Sequence, residues 1–418
     1  KFKRPEGDEH ATAFRLWDEA SAAAIRDKCA GRDSTVTEES KPSTQQSPLL
    51  FDLTSLQRDA NGRFGFSART TLQLAQALYE KHKVLTYPRT DARALPEDYL
   101  GTVHEVMGTL PEQYAPFTAE IARQGWVRPN KRIFNNAKIS DHFAIIPTGA
   151  LPKNLSEAEQ KIYDLVTRRF LAVFYPAAEY RITTRITRVE GEAFKTEGKV
   201  LVNPGWLAVY GKEGIGDGEA KDGSAAQLVP VQQGETVSTE SILLKALQTK
   251  PPPRYNEATL LSAMEGAGKM VDDEELRAAM AERGLGTPAT RAQIIEGLIT
   301  EQYIHRDGRE LIPSAKAFSL ITLLKGLGVV ALTSPELTGG WEYKLSRMER
   351  GELSRADFMA EIAELARDVV ERAKRYESDT VPGDFVILTT PCPKCGGVVK
   401  ENYKKFACKS CDWSTWKI

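Results

Sequence analysis

The chain has 418 residues, and its 56 lysines and arginines balance 57 aspartates and glutamates, so the formal net charge at pH 7 is −1. Hydrophobic residues make up 41% and charged residues 27%, which is typical of a globular protein and excludes a mostly disordered chain, a collagen-like chain and a disulfide scaffold. The balance also excludes a histone-like blanket of positive charge, so any nucleic-acid binding must use basic residues gathered locally. The length predicts about three domains.

Three features of the sequence bear on the cellular environment of the protein: its apolar stretches, its first residue and its cysteines. The longest apolar stretch, residues 320–332, contains Lys325 and is shorter than the roughly 20 apolar residues of a membrane-spanning helix, so no membrane contact is predicted. No signal peptide opens the chain, and because it begins at Lys1 without an initiator methionine we expect a fragment or a processed chain. Four of the five cysteines lie in the last 27 residues, which favours a metal site in a reducing compartment.

The first part of the chain is polar and then becomes helical. Residues 34–47 are rich in Ser, Thr, Glu and Gln, which predicts a loop. Apolar residues at helical spacing then predict a helix from Ser67 to near Lys83 and another over residues 157–174.

The period changes to that of a strand near residue 180. Alternating residues over 180–200, with Gly191 at the turn, predict a β-hairpin, and residues 206–210 are also strand-like. Residues 214–223 are rich in Gly and Asp and predict a flexible loop, because the third glycine of a dinucleotide-binding fingerprint is missing and no helix follows.

The segment from Ala258 to about Tyr376 is helical again. Thr287-Pro288 has the composition of a helix start, and residues 303–313 form a hairpin candidate that turns at Asp307-Gly308. A helix followed by a small hairpin is typical of a winged-helix unit, which often binds nucleic acid, although a local packing motif explains it equally well. The acidic run at residues 272–275 is interpreted as a dipole-favoured helix start, and residues 381–384 as a linker.

The cysteine-rich end has the spacing of a metal site. Two Cys-x2-Cys pairs separated by twelve residues supply four thiolates, which suit tetrahedral Zn²⁺ and leave no open position for water, so the site is predicted to be structural. Six lysines against two acidic residues surround the pairs, with Tyr403, Phe406, Trp413 and Trp416 between them. These aromatics either stack single-stranded bases or form the small core of the ribbon. The predicted zinc ligands are Cys392, Cys395, Cys408 and Cys411.

A second motif combines a tyrosine with nearby cations. Tyr87 is followed two residues later by Arg89, and Lys83 precedes it. A phenol has a pKa near about 10 and needs help to attack at neutral pH, whereas an arginine can hold a phosphate through two parallel hydrogen bonds. The pair is what an enzyme needs to attack a phosphodiester and keep the product covalently.

This segment, LTYPRTDAR at residues 85–93, resembles the active-site motif of the type IA DNA topoisomerases, and Pro88 after the tyrosine resembles the topoisomerase III branch. Further segments resemble motifs of the same family in the family's order over about residues 48–370. They are LTSLQ (53–57), SDHFAIIPT (140–148), PPRYNEATL (252–260), GLGTPATRA (284–292) and TGGWE (338–342).

The resemblance implies roles for individual residues. Tyr87 would be the nucleophile that becomes joined to a DNA 5′-phosphate, and Arg89 would hold the scissile phosphate. His142 would lie at the same phosphate and would either orient an acidic partner or donate a hydrogen bond. The reaction exchanges one phosphodiester for another and needs no ATP, and the sequence contains no G-x-x-x-x-G-K-[ST] loop. The DNA-binding residues implied by the resemblance are Gln57, Lys83, Arg254, Thr287, Thr290 and Arg291.

The resemblance also implies an α+β multidomain fold with mostly helical gate and strand-binding domains, a β-rich arch and a C-terminal zinc ribbon. The expected division is residues 1–50 for the first part of the arch, 51–174 for the helical tyrosine domain, 175–248 for the second part of the arch, 249–380 for a helical DNA-binding domain and 388–418 for the ribbon.

The family's toprim domain, which binds Mg²⁺ through a Glu and an Asp-x-Asp cluster, has no counterpart in this sequence. We therefore expect Mg²⁺ to be bound through that domain, and this chain alone to bind single-stranded DNA but to cleave it poorly. The expected partner is single-stranded DNA, and the expected state is a cytoplasmic, nucleoid-associated monomer. The alternative is a non-catalytic single-stranded DNA-binding protein built from a winged helix and a zinc ribbon, which would leave Tyr87, Arg89 and His142 without a role.

Overall fold

The computed structural model describes residues 15–211, 228–280, 284–376, 386–401 and 405–416. The fold is mixed helix and sheet, as predicted. The chain divides into two compact units, which we call the sheet unit and the helical unit. The sheet unit comprises the described residues of Lys1–Leu49, Glu112–Arg128 and Arg168–Pro252, and the helical unit comprises those of Leu50–Pro111, Pro129–Thr167 and Pro253–Ile418.

The sheet unit contains a four-stranded antiparallel sheet with the strand order β3-β2-β1-β4. The hairpin predicted around Gly191 is confirmed, since β2 and β3 flank that turn. β1 pairs with β2 along nearly its whole length, from Ser34 opposite Val189 to Gln45 opposite Ala178. The elements are α1 (Glu19–Cys29), β1 (Asp33–Gln45), β2 (Ala178–Val189), β3 (Glu192–Asn203) and β4 (Thr236–Ser238).

Two predictions in this unit were wrong. The loop predicted over residues 34–47 is mostly strand β1, whose side chains are largely exposed beyond Val36, so it lacks the apolar alternation by which a strand is recognised. The strand predicted over residues 206–210 is part of a 3₁₀ helix, Gly205–Tyr210. A Cβ at Gly205 would lie 2.4 Å from Ala177 O, so this close turn requires glycine.

Cys29, at the end of α1, is fully buried in the sheet unit. Its Sγ donates to Val189 O, 3.6 Å away, at the end of β2. Burial raises the pKa of the Cys29 thiol, so the neutral thiol is favoured at neutral pH.

The first part of the helical unit contains the helices predicted from the apolar periodicity. α3 begins after Ser67, whose hydroxyl accepts from the Thr70 N–H, and the helix predicted over residues 157–174 is α6. The helices of this unit here are α2 (Leu53–Phe64), α3 (Ala68–Glu80), α4 (Leu100–Thr109) and α6 (Glu157–Ala172). The helix α5 (Ala115–Gln124) and the last residues of α6 belong to the sheet unit.

The second part of the helical unit confirms three local predictions. α9 begins at Pro288 after the N-cap Thr287, the hairpin β5–β6 turns at Asp307-Gly308, and the acidic run leads into α8. The elements are α7 (Glu257–Glu265), α8 (Glu274–Met280), α9 (Pro288–Thr300), β5 (Ile304–Asp307), β6 (Glu310–Pro313), α10 (Ala315–Gly326), α11 (Glu336–Glu349) and α12 (Arg355–Arg375).

A buried cluster and a buried carboxylate join the two parts of the helical unit. Ala68 of α3 packs with residues of α7 and α9. Glu257, only 5% exposed, accepts from the Ala68 N–H (2.7 Å) and from Arg306 Nε (2.9 Å), so its charge is compensated. The other buried members of the cluster are Leu261, Met264, Ala292 and Ile295.

Glycine is required where the chain enters α9. Gly284 has φ +65°, and a Cβ there would lie 2.3 Å from Met264 O. The close approach lets the Leu285 N–H donate to the same oxygen at 2.7 Å. This contact ties the start of the GLGTPATRA segment to the end of α7.

The C-terminal residues form a three-stranded antiparallel sheet of order β7-β8-β9, with β7 (Val399–Glu401), β8 (Lys405–Cys408) and β9 (Ser414–Trp416). The loop predicted at residues 214–223, the linker at 381–384 and Tyr403 lie outside the described residues. No helix within the described ranges is long and apolar enough to cross a membrane.

Candidate active site

The predicted catalytic residues lie on two short extended segments of the helical unit. We call residues 84–90 the tyrosine segment and residues 142–148 the histidine segment. Each is anchored by buried aliphatic side chains, so that the polar side chains between them lie near the surface. The anchors are Val84 and Leu85 on the first segment and Ile145 and Ile146 on the second.

Backbone and hydroxyl hydrogen bonds hold these two segments in register. The Thr86 N–H donates to Ile146 O (3.0 Å), and the Thr148 N–H donates to Val84 O (3.0 Å). The Thr86 hydroxyl donates to Ala144 O (3.0 Å) and accepts from the Ile146 N–H (2.9 Å). Thr86 therefore fixes the position of the residue that follows it, Tyr87.

The structure brings Tyr87 and His142 together. Their ring centroids are 4.3 Å apart, and the Thr90 hydroxyl donates to His142 O at 2.9 Å. On its other side the Tyr87 ring meets Tyr79 of α3 edge-on, at 5.4 Å between centroids. Tyr87 is half-buried while His142 is exposed, so the pair lies where a bound strand could reach it.

Arg89 is exposed two residues beyond Tyr87. Its Nε donates to Gln76 Oε1 over a long 3.4 Å, and Gln76 Nε2 donates to Glu80 Oε1. The amide of Gln76 is thereby oriented with its oxygen toward the arginine. Sequence reasoning missed Gln76 and Tyr79, because only their place on one face of α3, three residues apart, distinguishes them.

Four of the predicted DNA-contact residues are exposed. Thr287 and Thr290 lie at the start of α9, where the Thr287 N–H donates to the Thr290 hydroxyl (2.8 Å). Lys83 has φ +59° just before the tyrosine segment, and its Nζ is 5.6 Å from the Tyr79 ring centroid. Arg254 lies shortly before α7. Cations and a helix N-terminus are suitable groups for a phosphate backbone.

Gln57 and Arg291, the other two predicted contacts, are buried. Gln57 Nε2 donates to Ala68 O (2.9 Å), and its Oε1 is buried with no hydrogen-bond partner among the described residues. Arg291 is 3% exposed; its Nε donates to Leu285 O (3.1 Å) and its Nη1 to the Thr54 hydroxyl (2.9 Å). Burial lowers the pKa of Arg291. Both side chains support packing within the helical unit, and their contact with DNA stays a prediction.

Three acidic residues of the helical unit are engaged with neighbouring side chains. Arg93 bonds both Asp52 (2.6 Å) and Glu265 (2.8 Å), and Asp91 accepts from the Ser140 hydroxyl (3.3 Å). In the described ranges, the only group of three or more possible metal ligands that lies close together is the cysteine group at the C-terminus.

The four cysteine sulfurs of the ribbon lie within 4.8 Å of one another, which fits a single tetrahedral Zn²⁺. Amide N–H groups point at the sulfurs, as in the bond from Ser410 N to Cys408 Sγ (3.3 Å). This bond lowers the pKa of Cys408 to about 7 and so favours the thiolate that binds zinc. All four ligands come from the protein, so the site is structural. The ligands are the predicted Cys392, Cys395, Cys408 and Cys411.

A family model described as DNA topoisomerase matches residues 1–360. The chain belongs to the DNA topoisomerase family. Its curated relatives place it in the type IA, topoisomerase III-like group. DNA topoisomerase 3 of Bacillus cereus is 40% identical over 387 residues, covering 90% of this chain and 51% of that protein. DNA topoisomerase 3 of Bacillus subtilis is 39% identical over 406 residues, covering 95% and 55%. The chain thus spans about half the length of these family members.

The fold is also that of the family. The structure of full-length topoisomerase I from Thermotoga maritima is similar to this one, with a TM-score of 0.68 and 21% sequence identity. The match covers 97% of this chain and 62% of the Thermotoga maritima chain. At this identity the likeness concerns the fold alone.

Proposed function

We propose that this chain is part of a topoisomerase III-like enzyme that cuts one DNA strand through Tyr87. The observation that carries the proposal is the contact of the Tyr87 and His142 rings, 4.3 Å between centroids, with Arg89 on the same short segment. A tyrosine, a histidine and an exposed guanidinium in one place are the groups that a phosphodiester transesterification needs.

In the proposed reaction, Tyr87 Oη attacks the scissile phosphorus and gives up its proton, a 5′-phosphotyrosine bond forms, the bond from phosphorus to the 3′-oxygen breaks, and that oxygen takes up a proton to leave as the 3′-hydroxyl. Arg89 holds the two non-bridging oxygens and stabilises the charge that develops on them. His142 donates a hydrogen bond to the same phosphate. After another strand has passed through the break, the 3′-hydroxyl attacks the phosphotyrosine and restores the backbone. One phosphodiester replaces another, so resealing needs no ATP.

The exposed residues Lys83, Arg254, Thr287 and Thr290 are proposed to contact the backbone of single-stranded DNA, and Trp416, 69% exposed on the ribbon, to stack on a base. Binding of Mg²⁺ through a toprim domain, poor cleavage by this chain alone and a nucleoid-associated monomer stay predictions. The division of the chain into domains with boundaries near residues 50, 174, 248 and 388 also stays a prediction.

The test uses the full-length protein with Mg²⁺ and an end-labelled single-stranded oligonucleotide, denatured after incubation. We expect a covalent protein–DNA adduct with the unchanged protein and none with Tyr87→Phe. Tyr180→Phe, at another half-buried tyrosine, is the matched control and should keep the adduct. An adduct that persists in Tyr87→Phe would show that Tyr87 is not the nucleophile.

The second candidate function is a non-catalytic DNA-binding protein. The helix α9 followed by the hairpin β5–β6, together with the ribbon, favours it. It gives no role to the Tyr87–His142 contact, and DNA binding without any adduct in the same assay would support it.

A further inference from the structure

A cleft between α3 and α9 reaches the proposed catalytic arginine. Its volume is about 800 Å³, which is within the range of sites for small organic ligands. Arg89 forms part of its wall, so a nucleotide in the cleft would have a phosphate beside the guanidinium. One face of each helix lines it, with polar residues three or four positions apart: Arg69, Gln73, Gln76 and Glu80 on α3, and Gln293 and Glu296 on α9.

The acidic residues of the cleft are occupied by partners from the protein. Glu296 is ion-paired with Arg306, Glu301 lies 3.9 Å from Lys316 Nζ, and Glu80 accepts from the neutral amide of Gln76. Arg69 and Lys81, by contrast, make no ion pair or hydrogen bond through their side chains within the described ranges. Arg69 and Lys81 are therefore the cations of the cleft whose side chains are available to the phosphates of a DNA strand.

Two amides face the cleft from opposite walls. Gln73 of α3 and Gln293 of α9 are exposed, and in the described part of the chain neither side chain has a hydrogen-bond partner. A glutamine amide offers one donor and one acceptor side by side, the arrangement that pairs with N7 and the N6 amino group of adenine.

We propose that this cleft binds the nucleotide next to the scissile phosphate, and that Gln73 and Gln293 recognise its base, with adenine preferred. The inference rests on the proposed function and adds a determinant of cleavage-site preference to it. Arg69 and Lys81 neutralise the flanking phosphates, while Gln76 accepts from Arg89 Nε at the wall of the cleft.

The experiment uses the full-length protein and a pool of single-stranded oligonucleotides with randomised bases on both sides of the break, in which the cleaved sequences are read out. We expect a preference for adenine at one position next to the break. Gln73→Leu and Gln293→Leu should each reduce that preference about tenfold, because each removes an amide pair. Gln293→Glu should move the preference toward cytosine, whose amino group a carboxylate accepts. Gln113→Leu, at an exposed glutamine outside the cleft, should leave it unchanged.

The outcomes separate this inference from the proposed function. A Tyr87-dependent adduct whose base preference is the same in all four variants would overturn the base-binding cleft while leaving the nucleophile in place. Cleavage with no base preference next to the break would overturn it too. Loss of Tyr87 dependence would instead overturn the proposed function.

Discussion

At the residue scale, motifs indicated chemistry but not burial. Gln57 and Arg291 belong to segments that resemble the family, yet both side chains are buried and hydrogen-bonded within the protein. Burial depends on which segments pack together, and residue type and spacing do not report it. The short distance between Tyr87 and His142, 55 positions apart in the sequence, likewise depends on the pairing of two extended segments.

Gly284 allows a sharp test at this scale. Gly284→Ala places a Cβ against Met264 O at a positive φ, so we expect the free energy of unfolding to fall by about 1–3 kcal/mol. Gly340→Ala is the control, because Gly340 lies inside α11 with open space at its Cβ, and alanine there should stabilise by about 0.5–1 kcal/mol. Urea unfolding measures both, and equal effects of the two changes would refute the argument.

At the scale of elements, a strong apolar periodicity and the residues typical of helix ends were sufficient to predict several helices and one hairpin. α3, α6, the β2–β3 hairpin and the start of α9 were predicted because apolar spacing and capping residues act locally. β1 was missed because its stability comes from backbone pairing with β2, whose partner residues lie more than 130 positions away in the sequence.

The cap of α6 should make stability depend on pH. The Ser156 N–H donates to Glu159 (2.7 Å) and lowers the pKa of that carboxyl below its ordinary 4.5, with smaller contributions from the Ser156 hydroxyl and His82. The folded state therefore binds this proton less tightly than the unfolded state. The stabilisation is complete above about pH 4.5 and is lost as the pH falls through the lowered pKa.

We expect Glu159→Gln to cost about 1 kcal/mol at pH 7 and little near pH 3, measured as the free energy of urea unfolding. Glu157→Gln is the control, because Glu157 is exposed and pairs with Lys161 on the helix surface, a contact that contributes little to stability. A cost for Glu159→Gln that is the same at both pH values would contradict the prediction.

At the scale of the whole molecule, the balanced net charge conceals local separation. The ribbon carries an excess of lysines, and in the α3–α9 cleft Glu296 is ion-paired while the described part of the chain offers Arg69 and Lys81 no ion pair, although the total is −1. The sequence indicated the first, because the lysines lie close together along the last 25 residues of the chain. It could not indicate the second, because the cleft joins two helices more than 200 residues apart.

The ribbon predicts a metal content for the chain. We expect one Zn²⁺ per chain by atomic absorption after exhaustive dialysis, and less than half of that in Cys408→Ser, since three thiolates hold the ion less tightly than four. Cys29→Ser should retain the full amount, because Cys29 lies outside the ribbon. Equal zinc in both variants would show that the four sulfurs are not the ligands.

The burial of Cys29 makes it an internal reporter of opening. Four of the five cysteines form the group that fits zinc, whereas the thiol of Cys29 is buried between α1 and the end of β2 and should resist alkylation as long as this part of the sheet stays folded. Its labelling rate under native conditions then measures how often this end of the sheet opens. Local opening of the β-sheet next to Cys29 can thus be measured with this natural cysteine, in the presence or absence of DNA, and no probe has to be introduced.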